Sequence, residues 1–235
     1  MKRILIPGGL LGETTFGVGR AYMEFISQWG DPVVLAPMKG IIEGDLLILP
    51  GGQDLLSHHY GQTPSYFNTN PDVMKEYFFL NNLPQYVESG IKIVGICLGM
   101  QQLNVYFGGS LTQNCYHPYS DKSRDQSVHQ LHFTPKFHSL MRELKVDNKE
   151  DALKVNSLHH QGISRASDLS SEFETIAVGP YDVVECFKHK TRPILGFQYH
   201  AEEIYDKLSI HLIDELLNEE SITESTTGAN EETLT

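Results

Sequence analysis

Apolar residues fall into two kinds of run along this chain. Short, mainly apolar blocks occur at residues 2–6, 32–36, 45–49 and 91–96, the pattern of strands buried on both faces of a parallel sheet. Between them the apolar positions recur at helical spacing. Tyr22, Phe25, Ile26 and Trp29 stand at i, i+3, i+4 and i+7 within 20–29, closed by Gly30, and Met100, Leu103 and Phe107 mark 98–107, closed by Gly108 and Gly109. A further helix is expected over 72–81, with Asn70 as its cap and Pro71 at the first helical position. The glycine-rich stretch 7–19 has neither G-x-G-x-x-G nor the Gly-Lys-Ser/Thr of a phosphate loop, so it reads as an ordinary strand-to-helix turn. Strand and helix thus alternate through the first half. That predicts an α/β fold: a doubly wound, mostly parallel sheet flanked by helices, with ligands at the carboxyl ends of its strands.

The second half is less regular. Residues 127–133 alternate polar and apolar in a β pattern, and 174–178, 182–188 and 194–199 read as three short strands, the first two a hairpin turned at Gly179-Pro180. They form a small antiparallel element. A last helix over 203–217 carries Ile204, Leu208, Leu212 and Leu216 on one stripe. From Asn218 the chain is acidic, rich in hydroxyls and poor in large apolar residues, so 218–235 is expected to be a disordered tail behind a single domain of 1–217.

Composition narrows the function. No run of 18 apolar residues suits a membrane span, and the first strand is broken too early by Pro7-Gly8-Gly9 to be a secretory segment. The net charge of −12, with no basic face, argues against nucleic acid and leaves a small molecule or a protein as partner. Three cysteines without paired spacing point to a reducing, cytoplasmic setting and no disulfide framework. His129 and His132 have no acidic or cysteine partner at metal-binding spacing, so no metal is expected.

The chemistry concentrates at Cys97. Gly95 and Gly99 bracket it as Gly-x-Cys-x-Gly directly after the block 91–96, the spacing of a nucleophile elbow with sulfur in place of oxygen. A side chain at either glycine would crowd the turn, and glycine is expected to relieve its backbone angles as well. A helix N-terminus also favours a thiolate over a thiol. The base this sulfur needs is best supplied by His200, at the end of another apolar strand, with Glu202 two residues on. In an extended segment those two side chains project to one side, so the carboxylate can accept from Nδ1 while Nε2 faces the sulfur. A third block, 45–49, runs into Pro50-Gly51-Gly52, whose bare N–H groups could form an oxyanion hole at the same sheet edge.

Taken together, P-G-G at 50–52, G-I-C-L-G-M-Q at 95–101 and G-F-Q-Y-H-A-E at 196–202 resemble the three signature stretches of class I glutamine amidotransferase domains, over nearly the whole of 1–217. V-N-S-L-H-H-Q-G at 155–162, with Tyr60-Gly61, F-G-G-S-L at 107–111 and Val128-His129, is similar to the γ-glutamyl hydrolase branch, which includes γ-glutamyl-γ-aminobutyrate hydrolases. The resemblance implies a flavodoxin-like sheet and a Cys97-His200-Glu202 triad that cleaves γ-glutamyl amides through a glutamyl thioester, with no cofactor. It also implies an oxyanion hole from the N–H groups of Gly52 and Leu98, and a glutamyl pocket lined by Gln101, Ser157 and His159. The chain departs from the pattern in places. Tyr199-His200-Ala201-Glu202 stands where the family has Trp-His-Pro-Glu; Leu98 replaces the Arg common in the hydrolase branch; the segment 38–44 is short; and D-x-x-R-D is missing around 72–77. Three readings stay open: a free-standing hydrolase of γ-glutamyl amines, a glutaminase subunit that passes ammonia to a separate synthetase or ligase, and a silent binding protein on the same scaffold.

Overall fold

The computed structural model describes residues 1–12, 14–36, 40–121, 123–146 and 153–219. Most of the tail expected from Asn218 on, from residue 220 onward, lies outside them, as do residues 38 and 39 of the 38–44 connection.

The first half folds as β1 (Lys2–Pro7), β2 (Gly9–Leu11), β3 (Thr15–Gly17), α1 (Arg20–Ile26), β4 (Gly30–Leu35), β5 (Leu46–Leu49), α2 (Val73–Asn81), α3 (Leu83–Glu88), β6 (Lys92–Ile96) and α4 (Leu98–Tyr106). Then follow β7 (His129–Gln130), β8 (His132–Phe133), α5 (His138–Glu143), β9 (Lys154–Val155), β10 (Phe173–Val178), β11 (Val184–His189), β12 (Ile194–Phe197), α6 (Ala201–Ile204) and α7 (Lys207–Asn218). One sheet of eight strands runs in the order β4-β1-β5-β6-β12-β11-β10-β8. Its first five strands are parallel and the last three antiparallel.

Each central strand is apolar on both faces, so the sheet divides the core in two. Ile4, Ile6, Ile48 and Ile96 pack with Phe25 of α1 and Leu212 of α7 on one side, and Leu5, Leu47, Ile93 and Leu49 with Phe78 of α2 and Leu103 of α4 on the other. Fully burying such a side chain contributes about 1.5–3 kcal/mol, so strand register is strongly specified. That register matters for function. Leu49 of β5 sits opposite Gly95, and Phe197 of β12 opposite Ile96. The segments that follow these three neighbouring strands therefore leave the sheet at one edge: Pro50-Gly51-Gly52, Cys97, and Gln198-Tyr199-His200.

Several expectations differ in detail. The glycine-rich stretch contains the hairpin β2–β3 rather than a plain turn. Its anchor is Asp72, whose Oδ2 accepts from Leu10 N–H at 2.8 Å. Asp72, not Asn70, caps α2, with Oδ1 accepting from the N–H groups of Met74 and Lys75. The block 127–133 supplies two separate short strands, β7 pairing with β9 and β8 with β10. The last helix is broken: α6 ends at Tyr205, left-handed at φ 52°, and α7 starts afresh from its cap Asp206. Tyr199 donates to Asp206 Oδ1 at 3.0 Å, tying that new start to the segment bearing His200.

Candidate active site

Cys97 leaves β6 with φ 52° and ψ −106° and becomes the N-cap of α4. A positive φ on a residue with a side chain costs on the order of 1–3 kcal/mol and persists only where surroundings enforce it. Here the enforcement is close approach of main chain to main chain. A Cβ on Gly95 would lie 2.6 Å from the carbonyl group of Gly99, and one on Gly99 would lie 2.2 Å from the Leu49 carbonyl oxygen. Neither glycine has a positive φ. They serve by their lack of volume, and the unusual backbone angle belongs to the cysteine between them.

His200 is buried against this turn. Its ring lies beside Cys97 across Gly51, and its Nδ1 lies 2.5 Å from Glu202 Oε1. The chain there is not the extended segment expected from the sequence. Glu202 lies in the first turn of α6, and the bend after His200 folds its carboxylate back onto the ring. Burial opposes a charge on the imidazole, yet the facing Glu202 and Cys97, by charge and hydrogen bond, raise its pKa from 6.5 to about 10. Asn156 fixes the backbone beneath: its Oδ1 accepts from His200 N–H at 2.8 Å, and its Nδ2 donates to His200 O at 3.0 Å. Arg124, exposed at the rim, brings Nη2 within 3.3 Å of His200 Nδ1 and donates from Nε to Glu203 at 2.5 Å.

The turn Pro50-Gly51-Gly52 closes the third side. A Cβ on Gly51 would lie 2.6 Å from His200 Cε1 and 3.3 Å from Cys97 Cβ, so only glycine lets the backbone come this near. Tyr22 Oη accepts from Gly51 N–H at 2.7 Å, and Lys75 Nζ donates to Gly51 O at 2.5 Å. Burial lowers the Lys75 pKa, against the opposing pull of Asp72, Cys97 and Glu202. Among the described residues, no protein acceptor takes the N–H of Gly52 or Leu98. A cleft of about 480 Å³ opens here, lined among others by Tyr22, Gly52, Lys75, Arg124, Leu158 and His200. A larger groove of about 1010 Å³ lies beside Lys2, Lys92 and Pro193, at the opposite ends of the strands, and shares no residue with it.

Gln101, Ser157 and His159 are all buried, but the cleft lining from their neighbourhood is Leu158. Hydrogen bonds turn their polar groups inward. Gln101 Nε2 donates to Gln161 O at 2.8 Å and to Gln198 Oε1 at 3.2 Å; Ser157 Oγ is 3.1 Å from His117 Nδ1; His159 Nδ1 is 2.9 Å from Gln161 O. The sequence reading missed Tyr22, Asn156 and Lys75. Asp72-x-x-Lys75 keeps the acid and base spacing of the D-x-x-R-D pattern, which was the available signal for Lys75.

Comparison with known proteins then places the chain. The peptidase C26 family model matches residues 17–202. The chain belongs to that family. The glutamine amidotransferase-like protein YvdE of Lactococcus lactis is 32% identical over 190 residues, covering 78% of this chain and 79% of its own. A glutamine-hydrolyzing GMP synthase component of Thermococcus kodakarensis is 29% identical over 137 residues, covering 58% of this chain and 64% of its own. A solved glutamine amidotransferase from Thermotoga maritima superposes with a TM-score of 0.55 at 18% identity, over 86% of this chain and 76% of that one. The fold is that of the class I glutamine amidotransferases, and no helix among the described residues is long and apolar enough to cross a membrane.

Proposed function

We propose that this C26-family protein is a cysteine-dependent hydrolase of γ-glutamyl amide bonds, releasing glutamate and an amine. The observation that carries the reading is the convergence of Cys97, the His200–Glu202 pair and the Pro50-Gly51-Gly52 turn at one sheet edge, beside the cleft that Gly51, Gly52 and His200 line. The raised pKa of His200 suits a base that draws the proton from Cys97 and holds it as an imidazolium while the sulfur attacks.

The sulfur of Cys97 attacks the δ-carbonyl carbon, and the carbonyl π electrons move onto oxygen. The N–H groups of Leu98 and Gly52, neither with an acceptor among the described residues, stabilise that oxyanion. Collapse breaks the C–N bond as His200 gives its proton to the departing nitrogen, leaving a glutamyl thioester and a free amine. His200, now neutral, takes a proton from water, whose oxygen attacks the thioester. Glutamate leaves, and the proton held by His200 returns to the Cys97 sulfur. Glu202 holds the ring's tautomer and orientation throughout. Gln101, Ser157 and His159 support the glutamyl pocket from behind its wall.

A second reading keeps the same chemistry on glutamine, with ammonia passed to a separate synthetase or ligase. Leu98 directly after the nucleophile and the similarity to a GMP synthase component favour it. One assay separates the two. Purified protein is given glutamine and N-substituted γ-glutamyl amides, with Cys97→Ala alongside. Thiol-dependent release of the substituted amine supports the hydrolase. Activity on glutamine that appears only with a partner supports the ammonia-supplying role. No Cys97-dependent turnover of either would sink both.

A further inference from the structure

The Pro50-Gly51-Gly52 turn raises a mechanical problem. The peptide plane between two glycines is among the freest to turn, because the torsions on either side of it are unrestricted, yet an oxyanion hole needs its N–H group held in a fixed direction. Of the turn's polar atoms, Gly51 N–H is tied to Tyr22 Oη at 2.7 Å and Gly51 O to Lys75 Nζ at 2.5 Å. Gly52 N–H has no acceptor among the described residues. Gly51 O and Gly52 N–H belong to one peptide plane. The bond is trans, so the two point in opposite directions, and fixing the oxygen fixes the hydrogen.

Resting on the hydrolase reading, we propose that Lys75 is the positioning residue of the oxyanion hole: by holding the Gly51 carbonyl it presents Gly52 N–H to the reacting carbonyl oxygen. Were the peptide to turn over, the partly negative Gly51 oxygen would face the developing oxyanion instead. An ammonium bound to that oxygen opposes the turn. The geometry leaves room for this and little else. A Cβ on Gly52 would lie 3.1 Å from Lys75 Nζ and 2.7 Å from Leu98 Cδ2, so a side chain there would crowd the ammonium. Lys75 stands at the start of α2, behind its cap Asp72, and Asp72 in turn holds the β2–β3 hairpin. The lysine thus comes from a helix anchored at two points, not from the flexible turn it controls.

The test uses Lys75→Met and Lys75→Arg in the full chain, with circular dichroism to establish folding. Loss of one oxyanion donor lowers kcat by about 10²-fold. Lys75→Met should show that loss in kcat, with KM changed by less than about threefold because the lost interaction forms only in the transition state. Lys75→Arg, which can still donate to the Gly51 carbonyl, should recover most of it. Alkylation of Cys97 by iodoacetamide, which needs no oxyanion hole, should keep its rate in both. A crystal structure of Lys75→Met should show the 51–52 peptide turned or in two orientations. The proposal is overturned if kcat is unchanged or raised in Lys75→Met, or if alkylation slows in step with kcat, since the ammonium would then act on the sulfur. A peptide held as before in Lys75→Met also overturns it, whatever the activity. Absence of Cys97-dependent turnover in the unaltered protein strikes the hydrolase reading instead, and the peptide's orientation still judges the lysine.

Discussion

Cys97 and Cys186 are both free and both buried, and they differ in almost everything else. Cys186 lies inside β11, opposite Phe197 of β12 and Ala177 of β10. Burial pushes its thiol well above the ordinary range, and the charges of Asp206 and Glu185 add to the effect. It has no basic neighbour to draw off a proton among the groups that shift it. Cys97 stands one residue beyond the end of β6, at a backbone angle only its glycine neighbours permit, with an imidazole against its sulfur. Burial alone therefore does not distinguish the two. The strand end does, because there the backbone turns and side chains from neighbouring strands can meet. Cys115 teaches the same lesson, its thiol pushed up to about 11 chiefly by burial.

The sharpest way to break this contrast is to remove each sulfur in turn. Cys97→Ala should lower γ-glutamyl amide turnover by at least about 10⁴-fold. An amine-release assay measures this, and a smaller loss would mean the sulfur is not the nucleophile. The next effect concerns the turn itself. Gly99→Ala places a methyl against the Leu49 carbonyl, main chain against main chain, where nothing can yield without moving β5 or α4. It should destabilise the fold by about 3 kcal/mol, read from urea unfolding, and an alanine variant as stable as the parent would show that the close approach is not needed.

The pH dependence tests the pairing of His200. Its folded value of about 10 lies above the ordinary 6.5, so the pair's contribution to stability is complete below pH 6.5 and is lost as pH rises through 10. The thermal midpoint should therefore fall between pH 7 and about 10.5, and turnover should decline on the same alkaline limb. Cys97→Ala removes one of the two partners that raise the imidazole. NMR titration of the ring should then find a lower midpoint, and an unchanged one would mean that Glu202 alone sets it. The smallest effect belongs to the other sulfurs. Cys186→Ser and Cys115→Ser should keep kcat within about twofold, and a loss in either approaching that of Cys97→Ala would reverse the assignment.

Much of the scaffold could be read from the chain alone. The blocks at 45–49, 91–96 and 194–199 became β5, β6 and β12 with small changes of boundary, because an apolar run buried on both faces has few other fates. Gly95, Cys97 and Gly99 marked the sharp turn after β6, and the contact of His200 with Glu202 was legible from their spacing, although a helical turn rather than an extended segment makes it. The break at Tyr205 was hidden, since a left-handed residue with a side chain leaves no mark in an apolar stripe that continues through it. The β2–β3 hairpin was hidden too, being three residues per strand and held from outside by Asp72.

What the sequence determined by itself was local: which segments are strands, which residue bends sharply after one, and which side chains have the chemistry to act. What only the tertiary structure decided was company. Tyr22, Lys75 and Asn156 come from three distant parts of the chain, and each acts through a hydrogen bond to a backbone group of the site rather than through a motif. Such bonds depend on direction and on distances of about 3 Å, and no pattern of residue types along a chain encodes them. They exist because the order β5-β6-β12 brings three strand ends side by side and packs α1 and α2 over opposite faces of the sheet that carries them.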